Sequence, residues 1–328
     1  MKQTSLPYDF RVTISPIFHK VDFTPPARLS RCSIWRAAGE VTNGNLDRTH
    51  GGDKMRNPPR VCAIIPARNV GGSIANVMNQ LVRAKVTHCI PVANGCSDDT
   101  LLNVRLAAEH LPLISQPVHF SAPLGPDVPR AIGAYQALRS FHDIEWFLFV
   151  DGDWSGGFGP TLEDFIAFAR QQRRDVQFAP RQSDNDLFNE IRVDYQVWDA
   201  GLMSWDKATR QASASEVPLM VHRRTFRQIS PYYLYHPGLW FALVLEASRH
   251  GLRCGVSETW FSRLAGNPSP SQNHAKAMRE TLIGDALEGA RVLLNQKPHR
   301  FWKGMLYDGY NSTRRVDVLK KWQSQTSH

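Results

Sequence analysis

Six residues, Glu145-Trp-Phe-Leu-Phe-Val150, carry no charge after the first and run straight into Asp151-Gly-Asp153. A strand of that kind is buried on both faces, the situation in a parallel sheet covered by helices on either side. Where it ends, a glycine lets the backbone turn sharply between two carboxylates. Ligands of open α/β sheets gather at the carboxyl ends of the strands. An Asp-Gly-Asp turn there offers oxygens to a hard divalent cation, which usually takes one or two carboxylates plus substrate phosphates. A solvated Asp-Gly turn explains the same three residues, so the surrounding pattern has to decide.

That pattern repeats. Val61-Cys-Ala-Ile-Ile-Pro66 and Cys89-Ile-Pro-Val-Ala93 read as buried strands, with a helix over 73–85 between them that Ser73 would cap. The loop Asn94-Gly-Cys-Ser-Asp-Asp-Thr100 leads into a helix through Glu109 whose first turn is rich in acid, as the helix dipole prefers. A short strand at 118–120, a helix over 129–141 opened by proline, the strand at 145–150, a helix near 162–173 and a strand at 176–179 follow. Strands and helices alternating at this spacing mean a parallel sheet with right-handed crossovers. The second half is less regular. Residues 184–215 read as polar loop, 217–222 and 252–256 as strands, and 239–250 and 275–294 as helices. The expected organisation is a basic extension over 1–59, an α/β domain over 60–296 and a basic, aromatic tail over 297–328.

The net charge of +9 belongs to the two ends. Residues 1–60 carry 10 Lys and Arg against 5 Asp and Glu, residues 290–328 carry 8 against 2, and the middle carries 21 against 23. A nucleic-acid-binding domain would put its excess on a folded face, so that class is set aside. Basic ends suit solubility, or peripheral contact with an anionic membrane surface. The tail's Phe301, Trp302, Tyr307 and Tyr310 among Lys and Arg fit such a contact, and fit ordinary packing equally. Five cysteines with no C-x-x-C pair, the absence of an apolar run of membrane-spanning length and a start without a signal-peptide core point to a cytoplasmic, reduced protein.

Three loops at strand ends fall in order: Pro66-Ala-Arg-Asn69, Asn94-Gly-Cys-Ser-Asp-Asp-Thr100 and Asp151-Gly-Asp153. Together they resemble the GT-A glycosyltransferases, particularly the family 2 group, in which the strands end in I-P-x-x-N, in D/N-G-S-x-D-x-T and in D-x-D. The resemblance covers 60–180 well and 215–290 loosely. It implies an α/β GT-A fold, a mostly parallel, Rossmann-like sheet flanked by helices with a less regular acceptor-binding half. It also implies a nucleotide-sugar donor and Mg²⁺ or Mn²⁺. By that resemblance Pro66, Ala67 and Asn69 line the base pocket with Asn94 and Asp98 nearby, Asp151 touches ribose or a metal-bound water, and Asp153 binds the metal. Arg130 would face the phosphates, with an ordinary surface arginine as the alternative.

The departures matter as much. The family usually has an acid after the I-P-x-x-N asparagine and another opening the second loop, where this chain has Val70 and Ala93, so uridine is not implied. Inverting members carry an acidic pair about one helix before a glycine matching Gly251, and the corresponding residues are Leu239-Trp240. His236 and Glu246 are the nearest titratable groups. The stretch from Tyr235 to Gly251 also resembles the retaining glucosyl-3-phosphoglycerate and mannosylglycerate synthases. In those a downstream His completes the metal shell and no carboxylate base is needed. His274 is the candidate for that ligand, with an insertion around 268–272, and a helix-capping or surface His is the alternative. His236 is the second choice, as ligand or general base. Arg223, Arg224 and Arg263 are candidates for an anionic acceptor.

The expected activity is metal-dependent transfer of a hexose from a nucleotide-sugar to an acceptor hydroxyl, in polysaccharide, glycolipid or glycoside synthesis. Two rivals stand beside it. A nucleotidyltransferase would need a G-x-G-x-R loop that Pro66-Ala-Arg-Asn-Val-Gly-Gly72 does not supply. A nucleotide-sugar-binding or assembly protein that has lost its base would fit Leu239-Trp240.

Overall fold

The computed structural model describes residues 60–181, 192–206, 209–258 and 271–324. The extension expected at 1–59, Arg263 and most of the insertion expected around 268–272 lie outside them. In chain order the elements are β1 (Arg60–Ala67), α1 (Ile74–Arg83), β2 (His88–Asn94), α2 (Thr100–His110), β3 (Ile114–Ser115), β4 (Val118–Phe120), α3 (Val128–Ser140) and β5 (Ile144–Phe149). Then come α4 (Gly159–Gln171), β6 (Val176–Phe178), α5 (Val193–Gly201), β7 (Leu219–His222), α6 (Pro237–Ser248), β8 (Cys254–Val256) and α7 (Gln272–Leu293). A hairpin of β9 (Phe301–Trp302) and β10 (Met305–Leu306) and the helix α8 (Val316–Ser324) follow.

The main sheet runs β3-β2-β1-β5-β7-β6-β8, with β4 beside β2. β1 lies parallel to β2 and β5, so β1 and β5 both end at the same edge. The unbroken apolar runs have the meaning expected of them. In β1 and β5 alternate residues enter two separate cores, one holding Ile64, Phe147 and Phe149 against α3 and α6, the other Ile65 and Leu148 against α1 and α4. Burying one such side chain contributes about 1.5–3 kcal/mol. Pro91 sits inside β2 at the point where its outer neighbour changes from β3 to β4, a place where a missing N–H disturbs neither pairing. Cys89 is buried beside it, and burial pushes its thiol up to about 12, so it packs as a small neutral hydrophobe.

Four features differ from the sequence reading. Ser73 precedes α1 but makes no side-chain cap, because its hydroxyl donates to Gly152 O at 2.8 Å. Asp98 and Asp99 come before α2 rather than in its first turn, which holds no acid. Within the supposed loop 184–215 lies the helix α5, where Trp198 is 2% exposed and packs edge-on against Phe241. Finally, β7 runs antiparallel to both β5 and β6. The sheet is nonetheless mostly parallel, as the sequence reading expects.

The C-terminal residues pack into the same body. Leu319 of α8 is fully buried, Trp322 lies 5.7 Å from Phe120, and Arg300 and Arg314 are buried with acidic partners. No described helix is long and apolar enough to cross a membrane.

Candidate active site

The loops leaving β1, β2 and β5 are bound to one another. Asn69, in the left-handed region at φ 53°, accepts from Ser97 N at 2.9 Å through its Oδ1. Asp98 accepts from Gly71 N at 2.9 Å with one oxygen and from the Thr100 hydroxyl at 2.6 Å with the other. Thr100 Oγ1 in turn accepts from Val70 N at 2.7 Å, and Cys96 Sγ donates to Ala67 O at 3.3 Å. Burial pushes the Asp98 carboxyl up, but the hydrogen bonds from Thr100 and Gly71 outweigh it and hold the group below its usual range. It stays an anion.

The Asp-Gly-Asp turn closes onto the first loop. Besides the Ser73 bond, Asn76 Nδ2 donates to Gly156 O at 3.1 Å. A Cβ at position 152 would stand 2.9 Å from Pro66 O, so only glycine lets the two backbones approach this closely. A fourth loop joins through Asn94, whose Oδ1 accepts from Leu124 N at 2.6 Å and whose Nδ2 donates to Gly125 O at 3.2 Å. The side-chain oxygens of Asn69, Asn94 and Asp98 thus brace neighbouring loops, and the shape they hold is what a ligand would meet.

Arg130, in the first turn of α3, is brought to the metal-candidate turn. Its Nη2 lies 3.2 Å from Asp151 Oδ1 and its Nη1 3.2 Å from Asp127 Oδ1. Burial alone would lower the guanidinium pKa, but Asp127 and Asp151 raise it. Asp151 remains 38% exposed and Asp153 half-buried, so the turn opens to solvent. Two carboxylates at a strand end form an oxygen donor set of the sort Mg²⁺ or Mn²⁺ takes.

Other candidates stand apart. His236 is 8% exposed and caps α6, its Nδ1 accepting from Leu239 N at 3.2 Å and its Nε2 lying 2.6 Å from Glu288 Oε2. That pairing puts the proton on Nε2 and leaves both ring nitrogens engaged. Glu246 sits ten residues along the same helix, about 15 Å away, and pairs with Arg249 at 3.3 Å. His274 lies in the first turn of α7 with its Nδ1 2.8 Å from the Tyr310 hydroxyl, and the cap of that helix is Ser271. Because β7 is antiparallel, Arg223 and Arg224 emerge at the opposite edge of the sheet from Asp151. There Arg223 donates to Leu138, Phe141 and Ile144 carbonyls, and Arg224 pairs with Asp175. Those contacts are structural.

Sequence reasoning named His236 but missed its acidic partners, and missed a second cluster altogether. His236, Asp285 and Glu288 bring their ligand atoms within 4.8 Å of one another. The cations facing them are Arg300, at 2.7 Å from Asp285 and 2.8 Å from Glu288, and Arg314, at 2.6 Å from Asp285. A metal would have to displace guanidinium groups there. At the other side, Glu216 accepts from the Tyr195 hydroxyl at 2.5 Å and pairs with Arg192 at 3.3 Å. Burial raises its pKa, with Arg192 opposing. Glu216 stands three residues before Leu219, the partner of Phe149, and so at the same edge as Asp151. No local pattern announces either cluster.

No protein-family model matches the chain, and no curated protein matches it. Among solved structures it is similar to glucosyl-3-phosphoglycerate synthase from Mycobacterium tuberculosis in complex with Mn²⁺, uridine diphosphate and glucosyl-3-phosphoglycerate. The identity is 13%, with 71% of this chain and 80% of that one covered and a TM-score of 0.49. The same enzyme with Mn²⁺, UDP-glucose and glycerol 3-phosphate gives 16% identity, the same coverage and a TM-score of 0.49. A mannosyltransferase from Pyrobaculum calidifontis in complex with GDP-mannose and Mn²⁺ gives 16% identity, 82% and 74% coverage and a TM-score of 0.47. None of these likenesses assigns a substrate to this chain.

Proposed function

We propose that the protein is a metal-dependent glycosyltransferase that moves a hexose from a nucleotide-sugar to an acceptor hydroxyl. One observation carries this reading: the three motif loops converge, tied by Asn69 to Ser97, Asp98 to Gly71 and Ser73 to Gly152, with Arg130 reaching Asp151 from a fourth element. The first two loops would hold the nucleoside. Asp153, with Asp151 beside it, would hold Mg²⁺ or Mn²⁺, and His274 would have to join through Nε2. When bound, the cation supplies Lewis-acid neutralisation of the diphosphate leaving group. Arg130 orients Asp151 and adds a fixed positive charge beside the phosphates.

Leu239 and Trp240 stand where inverting relatives place their acidic pair, and Trp240 is 2% exposed in the core. Retention, which needs no carboxylate at that place, is therefore the stereochemistry we favour. Release of nucleoside diphosphate by purified protein separates this reading from a binding protein that has lost catalysis. Within it, Asp151→Asn weakens the donor dissociation constant about tenfold, the order of one charge-assisted hydrogen bond. Unchanged donor affinity would remove Asp151 from the site.

We further place the protein in the reducing interior of the cell, at the membrane face. The β9–β10 hairpin supports the membrane contact, exposing Phe301 and its cross-strand partner Leu306 with Lys303 at the turn. Flotation with phosphatidylserine vesicles, diminished by Phe301→Ser, is the expected result. Equal flotation of the variant would count against the hairpin.

A further inference from the structure

We infer that Arg314, far along the chain from every motif, is a positioning residue for the donor site: it shares Asp127 with Arg130 and thereby sets Arg130 against Asp151. The inference rests on the reading of that site given above. Arg314 is 1% exposed at its side chain. Its Nη2 lies 2.9 Å from Asp127 Oδ2 and 2.6 Å from Asp285 Oδ2, and its Nη1 donates to Asp285 Oδ1 at 2.9 Å and Asn311 Oδ1 at 3.0 Å. Asp127 gives its other oxygen to Arg130, and Arg130 its other terminal nitrogen to Asp151. The result is an alternating row, Asp285–Arg314–Asp127–Arg130–Asp151, from α7 to the Asp-Gly-Asp turn.

The backbone follows the same path. Arg315 N donates to Leu124 O at 2.8 Å, and a Cβ on Gly125 would stand 2.4 Å from Thr313 O, so residues 313–315 press directly on the loop before α3. That loop is held from its other side by Asn94 of the second motif loop. Asp127 itself adopts φ 63°, a left-handed conformation that aspartate tolerates better than most non-glycine residues, with both carboxylate oxygens engaged.

Charge competition gives the row its purpose. With Arg314 on one oxygen, Asp127 draws on Arg130 with only part of its charge, and Arg130 stays extended towards Asp151 and an incoming diphosphate. Without it, Asp127 faces Arg130 alone and pulls the guanidinium back. A lysine in place of Arg314 keeps the charge but lacks the fork that spans two carboxylates.

The test uses the full chain. Arg314→Lys raises the dissociation constant for UDP or GDP, measured with Mn²⁺, by about tenfold, a coupling of the size that packed networks transmit. In an Arg130→Met background the same substitution changes it by less than about twofold, because Arg314 acts through Arg130. Asp127→Asn, which removes the competing carboxylate charge, leaves the constant within about twofold of wild type or tightens it, and serves if Arg314→Lys fails to fold: a loss of about tenfold in that variant overturns the charge competition. In the ligand-free protein, Arg314→Lys also speeds amide exchange over 124–130 and 151–153. An unchanged dissociation constant in the Arg314→Lys single variant, or an undiminished effect in the Arg130→Met background, overturns the inference. If the wild type binds no nucleoside diphosphate, the functional reading fails. Exchange then decides the positioning alone, and unaltered exchange at both loops overturns it.

Discussion

Asp153→Ala lowers sugar transfer by at least about 10³-fold, the loss that accompanies removal of a group stabilising charge in the transition state. The fold survives, because Asp153 lies half-buried in a turn outside both hydrophobic cores. A second readout accompanies activity: the extra melting stability that Mn²⁺ gives in the presence of a nucleoside diphosphate disappears with the carboxylate. Wild-type turnover in the variant, measured as nucleoside diphosphate released, would remove Asp153 from the chemistry.

Asp285→Asn has the largest effect on stability. Asp285 is 4% exposed and joins Arg300 to Arg314, so a neutral amide there leaves two buried guanidinium groups short of a partner. Breaking a buried ion pair from one side costs about 3–5 kcal/mol, against 0–1 kcal/mol for an exposed pair. For a chain of this size each kcal/mol lowers the melting temperature by about 2–4 °C, so the variant melts roughly 10 °C lower. A change under about 1 kcal/mol in denaturant titration would show that the row contributes no more than surface charges do.

Acid sensitivity has the same origin. Burial pushes the Asp285 carboxyl up, but Arg314, followed by His236 and Arg300, outweighs burial and holds the folded value well below the ordinary ~3.9. A depressed folded pKa contributes stability that is fully present above the unfolded value and is lost as pH falls through the folded one. Wild type therefore loses this stabilisation below about pH 4. In Asp285→Asn that part of the acid dependence is missing.

How much of this could be read from residues alone differs by element. The strands ending at Ala67, Asn94 and Phe149 were legible because strands buried on both faces need unbroken apolar runs, and the loops after them carry glycine, with asparagine in the first two and acid in the second and third, in a fixed order. The direction of β7 was not legible. Leu219–His222 reads alike in either sense, and only the connection containing α5, which leaves β6 and enters β7 at the same carboxyl edge, sets its direction. That reversal carried Arg223 and Arg224 away from the site. The helix α5 was hidden because its stability comes from tertiary packing, with Gly201 close against Ala290 of α7, in a segment whose composition reads as loop. The charged row was invisible for a related reason: Asp127 and Arg314 are 187 positions apart, and a basic tail reads as a solvated one. Likewise Ser73 occupies a capping position, but its hydroxyl turns to Gly152 from 79 positions away.

The most direct test is thermal melting against UDP-, GDP-, CMP- and dTDP-sugars, each with Mn²⁺ and with EDTA. A ligand that binds only the native state adds about 2.7 kcal/mol at 100 times its dissociation constant, a shift of several degrees. The account predicts stabilisation by one nucleotide class that EDTA abolishes and Asp153→Ala abolishes equally. Melting unmoved by every donor, with or without metal, would contradict it.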